Sequence, residues 1–152
     1  DAKPTDFCIG VGGYPEKHFE APNLKTDIKY VKEKVDAGAE YIVTQMFYDN
    51  KYYFNYVDMC REIGIDVPII PGLKVLTSRA HLTSVPKNFF LNIPDELSDE
   101  VMAAKPEHVL DIGVEWAVKQ VEELLNRNVK SIHFYVTQNS KPIIKLMERL
   151  KL

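Results

Sequence analysis

The feature that most restricts this chain is its punctuation. Four short apolar segments alternate with segments of helical period, and Gly, Pro, Asn or Asp marks nearly every boundary. The first, Phe-Cys-Ile-Gly-Val-Gly-Gly at 7–13, is stopped by Tyr14-Pro15 and reads as a buried strand entering a loop. Leu24, Ile28, Val31 and Val35 then fall 4, 3 and 4 apart, one face of a helix, with Asn23 as N-cap and Gly38 at its end. Residues 41–48, Tyr-Ile-Val-Thr-Gln-Met-Phe-Tyr, are β-branched and aromatic and predict a second strand. A helix with Phe54, Val57 and Ile63 inward follows and stops at Gly64. Val67-Pro-Ile-Ile-Pro-Gly72 is a third strand. Helical turns are expected near 78–85 and 95–104, and a long helix from Pro106 carries Val109, Ile112, Trp116 and Val121 inward. A fourth strand at 131–136 and a helix at 142–150 complete the pattern.

Strands alternating with helices argue for a parallel sheet covered by helices. Two α/β architectures fit. One is a small open doubly wound sheet; the other is part of a TIM (β/α)8 barrel, whose full form needs about 200 residues or more. The chain has 152 residues, 45% of them hydrophobic, which supports a single domain or half-barrel over 1–152. Four units supply half of eight strands. The first residue is not methionine, so the chain is expected either to have been processed or to be a piece of something longer.

Charge and composition exclude several classes. With 19 basic and 22 acidic side chains, scattered rather than massed, the chain has no basic stripe for nucleic acid. No apolar run approaches the roughly 18 residues of a membrane span, and Asp1-Ala-Lys-Pro-Thr lacks the apolar core of a signal peptide. Two cysteines, Cys8 and Cys60, are too few for a disulfide scaffold, and a reducing, cytoplasmic setting is expected. The four histidines have no i, i+4 partner, so no metal site is expected.

Gly10-Val-Gly12-Gly13-Tyr14-Pro15 has the outline of a dinucleotide fingerprint. That pattern needs a third glycine where Pro15 stands and a helix at once, so it is rejected. His18 lies in a polar loop just past a strand end, where parallel α/β folds place their active sites. His133 lies inside a strand, as a core or barrel-lining residue. Gln45 interrupts an apolar strand and, if that strand lines a barrel, shares a face with Tyr41, Val43 and Phe47. It is either a structural amide or a donor–acceptor for a heteroaromatic ligand. Asp27 and Lys34, seven apart, are either solvated charges or contacts to a ligand's sugar and phosphates.

Gly12-Gly-Tyr-Pro-Glu-Lys-His-Phe-Glu-Ala-Pro-Asn23, Lys32-Glu-Lys-Val-Asp-Ala-Gly-Ala39, Val43-Thr-Gln-Met-Phe-Tyr-Asp49 and Val67-Pro-Ile-Ile-Pro-Gly72 together resemble methylenetetrahydrofolate reductase, in its bacterial type, from about residue 6 to 135. The resemblance implies strands five to eight of a barrel that binds FAD. NADH or NADPH reduces the flavin, which passes a hydride to 5,10-methylenetetrahydrofolate. It implies FAD contacts at Tyr14, His18, Ala21, Asp27 and Lys34, and substrate contacts at Gln45 and at His81, where the family has a glutamine. The family's general-acid glutamate and its Arg-Gly-Asp flavin segment belong to the N-terminal half of the barrel, so no catalytic residue is assigned to this chain. Val75-Leu76 stand where the family has Pro-Ile, and Gln138-Asn139-Ser140 where it tends to place a basic residue.

The chain alone is therefore expected to be inactive and, with two open sheet edges, to form a homo-oligomer. The alternatives are a self-associating half-barrel that binds a flavin or nucleotide without catalysis, and a degenerate paralogue with a structural or regulatory role.

Overall fold

The computed structural model describes residues 5–136 and 139–151. The opening residues Asp1 to Pro4 and Gln138, both used in the sequence reading, lie outside that range. Four parallel strands, β1 (Gly10–Gly13), β2 (Tyr41–Met46), β3 (Ile69–Leu73) and β4 (His133–Phe134), pair in the order β1-β2-β3-β4. The helices are α1 (Leu24–Asp36), α2 (Asn50–Glu62), α3 (His81–Phe89), α4 (Asp95–Ala103), α5 (Val109–Asn126), entered through a 3-10 turn at Pro106–His108, and α6 (Lys141–Leu150).

Strand order decides between the two architectures. A doubly wound sheet reverses direction at a switch point. Here the order never reverses, and α1, α2 and α5 pack into one core against the sheet. The result is a four-unit half of a (β/α)8 arrangement. Burial agrees: along β2, Ile42, Thr44 and Met46 are buried while Tyr41, Val43 and Gln45 are half-exposed. A complete parallel sheet would bury both faces.

The helix-covered face holds the core. Ile42, Ile69 and Leu73 of the sheet pack with Ile28 and Val31 of α1, Tyr53, Tyr56 and Cys60 of α2, and Val121 and Leu124 of α5. The α2 face is therefore rotated from the expected one: Phe54 and Val57 are half-buried and Ile63 is exposed. The aromatic rings of Tyr53 and Tyr56 fill the space instead, and the Tyr53 hydroxyl donates to the Ile69 carbonyl at 2.7 Å. On α5, Val109 and Val121 are buried as expected, whereas Ile112 and Trp116 are half-buried.

Local signals hold at the helix ends. The Asn23 side chain accepts from the Thr26 N–H at 2.9 Å, and Asp49 caps α2 by accepting from the Lys51 N–H at 2.9 Å. Gly38 and Gly64 both take positive φ, as left-handed stops require. The strands are shorter than expected, β1 by its first three residues and β4 down to two. His133 is exposed, with its ring edge-on to Tyr135.

A register irregularity between Val43 and Met46 corrects the reading of β2. Past it, Phe47 turns to the helix side, fully buried and stacked on Tyr53 with centroids 5.6 Å apart, so it does not share a face with Gln45. A buried polar tie holds this corner. Gln120 donates to the Phe47 carbonyl (3.2 Å), Trp116 to the Tyr48 carbonyl (2.8 Å), and Asn50 to the Gln120 carbonyl (3.0 Å). Buried amides are tolerated because each is paired.

Candidate functional site at the strand C-termini

The segments leaving β1, β2, β3 and β4 line up along one rim of the sheet in strand order. At its first station the chain leaves β1 through residues 14–22. Lys17 takes a left-handed φ of 85° and curls its ammonium back onto three carbonyls, those of His18, Phe19 and Ala21, at 3.2, 3.4 and 2.9 Å. The buried carboxylate of Asp27, in the first turn of α1, accepts the His18 backbone N–H at 2.8 Å. A negative group suits that helix end. Asp27 thus latches the loop, and Ala21 is buried beneath it.

The latch sets the two rings above. Tyr14 meets His18 edge-on, centroids 4.6 Å apart, and both are half-buried. His18 Nδ1 accepts the Glu20 N–H at 3.3 Å, which places the proton of the neutral ring on Nε2. Gly12 beside them is exposed, and a side-chain carbon there would meet nothing closer than the Tyr14 hydroxyl at 3.8 Å. Two aromatic edges next to bare backbone form a place where a flat ring can approach the strand end.

The structure brings Tyr14, His18, Ala21 and Asp27 together and leaves Lys34 apart. Lys34 is exposed in the last turn of α1, about 10 Å along the axis from Asp27. Gln45 stands at the next strand end. Its Oε1 accepts the Met46 N–H at 3.0 Å, so its two N–H donors are unused among the described residues.

At the third and fourth stations a cavity of about 380 Å³ opens, lined by Lys74, Thr77, His81, Tyr135 and Asn139 among others. His81 Nδ1 accepts the Thr77 N–H at 3.3 Å, and burial, then the nearby Lys74 charge, lower its pKa. The Tyr135 hydroxyl donates to the Thr44 carbonyl at 2.9 Å. Its own pKa is raised by burial and then by the neighbouring Tyr14 phenol, which ties this end of the rim to the first. Gln45 does not line this cavity; it sits on the strand between. Asn139 does, with its Oδ1 accepting from the Lys141 N–H at 3.0 Å.

Two residues escaped the sequence reading. Lys74 is one, and its signal was available: a lone cation in the apolar run that follows Gly72. Glu16 is the other. Its Oε2 accepts the Asn92 N–H at 2.8 Å while its buried Oε1 has no partner among the described residues. Burial raises its pKa to about 7; the Asn92 N–H opposes the rise, Asp49 adds to it and Lys51 opposes it. Nothing in the local spacing marks Asn92, 76 residues away, as its partner. Among the described residues no group of three His, Cys, Asp or Glu side chains is placed to hold a metal, and no helix is long and apolar enough to cross a membrane.

Comparison with known proteins bears on this rim. A family model described as methylenetetrahydrofolate reductase matches residues 2–151. The chain is 38% identical over 151 residues to methylenetetrahydrofolate reductase 2 of Saccharomyces cerevisiae, covering 96% of this chain and 25% of that protein. It is 35% identical over 147 residues to 5,10-methylenetetrahydrofolate reductase of Buchnera aphidicola, covering 91% of this chain and 48% of that one. The chain thus spans between about a quarter and about half the length of these relatives. A solved structure, an uncharacterized protein from Clostridium thermocellum that binds two copies of 5-methyl-5,6,7,8-tetrahydrofolic acid, superposes with a TM-score of 0.61 at 17% identity. It covers 93% of this chain and 51% of that one, a likeness of fold.

Proposed function

The chain belongs to the methylenetetrahydrofolate reductase family, and from that premise we propose that it is the C-terminal half of an FAD-dependent barrel that reduces 5,10-methylenetetrahydrofolate with NADH or NADPH. The observation that carries the reading is the unreversed parallel sheet with one face left half-exposed. A missing N-terminal half would cover that face. We take the parent to be of the bacterial type, and its setting to be the cytoplasm.

The residues fit a flavin at the first station. Tyr14 and His18 offer ring edges beside the bare Gly12 backbone, Ala21 is buried against the loop, and Asp27 holds the loop in shape. Lys34 is the outlier: reaching it requires the dinucleotide to lie down the length of α1. Bound there, the flavin supplies the hydride chemistry, and the protein's part is orientation and proton supply. Gln45 would hold the substrate's pterin ring through its two unused N–H donors, and His81 would contact the substrate farther along the rim. No general acid is assigned within the chain. In solution the open edges of β1 and β4 would pair two copies into a homo-oligomer.

The test is an NADH oxidation assay with FAD and methylenetetrahydrofolate, on residues 1–152 alone and on the chain extended by its upstream coding sequence. Turnover by the extended chain only is expected; robust reduction by monomeric 1–152 would overturn the half-site reading. A stable flavin-bound homodimer without turnover in either form would favour a binding module instead.

A further inference from the structure

The loop 14–22 is held from two sides. Asp27 latches it from α1, and residues 90–92, just past the end of α3, meet it from the other. There Glu16 Oε2 accepts the Asn92 N–H at 2.8 Å, and the Phe19 ring stacks on Phe90 with centroids 4.9 Å apart and planes 18° apart. The stack continues a row of rings: Phe19 lies 4.7 Å from His18, and His18 lies 4.6 Å from Tyr14. A displacement at Phe90 is therefore passed, ring by ring, to the two side chains beside Gly12.

The α3 side of this contact is the fixed one. Val85 and Leu91 are buried in a core shared with Leu97 and Val101 of α4. The Arg79 guanidinium ties the entry of α3 to the end of α4, donating to the Val101 and Met102 carbonyls at 3.3 and 3.0 Å. Asn92 Nδ2 donates to the Tyr52 hydroxyl of α2 at 3.3 Å. Phe90 itself is an expensive choice. It caps α3 at φ 55° and ψ 44°, a left-handed position that favours glycine, and its ring is 56% exposed. Neither backbone preference nor burial accounts for a phenylalanine there; the contact with Phe19 does. Lys17 in the loop is left-handed as well, with φ 85°. Such backbone persists where the surrounding contacts over-determine it.

We propose that residues 90–92 are a brace for the loop 14–22, with Phe90 a positioning residue that sets the His18 and Tyr14 rings through Phe19. Its consequence for a ligand rests on the flavin reading of that loop; the brace itself does not.

The experiment compares amide exchange and FAD affinity in residues 1–152, wild type and variants. Phe90→Gly removes the ring and gives the left-handed cap the residue it favours, so the urea midpoint should hold. Exchange at Lys17 and Ala21, whose N–H groups close turns within the loop, should quicken by roughly two- to tenfold, and FAD affinity should fall by a similar factor, the worth of an aromatic pair. Phe90→Tyr keeps the stack and should restore both. Phe19→Leu should reproduce the effect from the loop side, and the double variant should be no worse than either single one. Unchanged exchange at Lys17 and Ala21 in Phe90→Gly overturns the proposal, as do additive effects in the double variant or a lowered midpoint with faster exchange throughout the chain. Quickened exchange with undiminished FAD affinity also overturns it, since the rings would then need no positioning. If the exchange effects appear and the wild type binds no FAD, the brace stands and the flavin reading fails.

Discussion

Glu16 gives the sharpest quantitative prediction. Its carboxyl sits between the Asn92 N–H and a buried position with no partner among the described residues, and burial raises it from 4.5 to about 7. Between those two values the folded chain holds a proton that the unfolded chain has released. The unfolded state therefore binds fewer protons, and stability falls as pH rises through that window. The complete linkage would be about 3 kcal/mol, and the partial exposure of the group reduces it to about 1–2 kcal/mol. Glu16→Gln keeps an oxygen for the Asn92 N–H and removes the titration. Urea unfolding at about pH 5 and about pH 8 should then show the wild type losing about 1–2 kcal/mol more than the variant, or about 0.5–1 M in midpoint. An equal loss in both proteins would refute the argument. A wild type that gains on the variant at the higher pH would mean that the Asn92 bond outweighs desolvation.

Further perturbations test the packing and the rim. Gly113→Ala should be destabilising despite the roughly 1 kcal/mol that alanine gains within a helix, because its Cβ would lie 1.8 Å from the Leu76 carbonyl oxygen; thermal melting decides. Gly72→Ala brings a Cβ to 2.2 Å from the Thr44 oxygen and 2.7 Å from the Tyr135 ring, and should cost about 1–3 kcal/mol in urea unfolding. Tyr135→Phe removes one hydrogen bond to the Thr44 carbonyl and should cost about 0.5–1.5 kcal/mol by the same assay. Asp27→Asn should leave α1 intact yet loosen residues 14–22, read as faster amide exchange at His18, whose N–H the carboxylate holds.

The alternation of strands and helices was legible because local chemistry sets it. Asn23, Gly38 and Gly64 act within one turn of themselves, and the structure keeps each in its expected place. Strand order was not legible, since the same alternation serves an open sheet or a barrel, and only pairing distinguishes them. The face of Phe47 was misread for a related reason. Period-two alternation holds only while the ladder is regular, and the irregularity after Val43 reverses it. On α2 both sides of the apolar stripe carry aromatic residues, so spacing alone left Phe54 and Tyr53 in competition for the core. Of the candidate site residues, those joined by local contacts, Tyr14, His18, Ala21 and Asp27, assemble together. Lys34 shares a helix face with Asp27 yet lies two turns off, because equal azimuth says nothing about height. Glu16 depends on Asn92, distant in sequence, which no local pattern announces.

We propose the rim of strand C-termini as the place where a flavin would be held. Amide chemical-shift mapping of residues 1–152 during an FAD titration tests this most directly. Saturable shifts should gather at residues 12–21 and near Gln45, and be lost in a Tyr14→Ala, His18→Ala double variant that keeps its helical spectrum. Shifts confined to the opposite strand ends, around residues 39–41 and 67–69, or none at millimolar FAD, would contradict it.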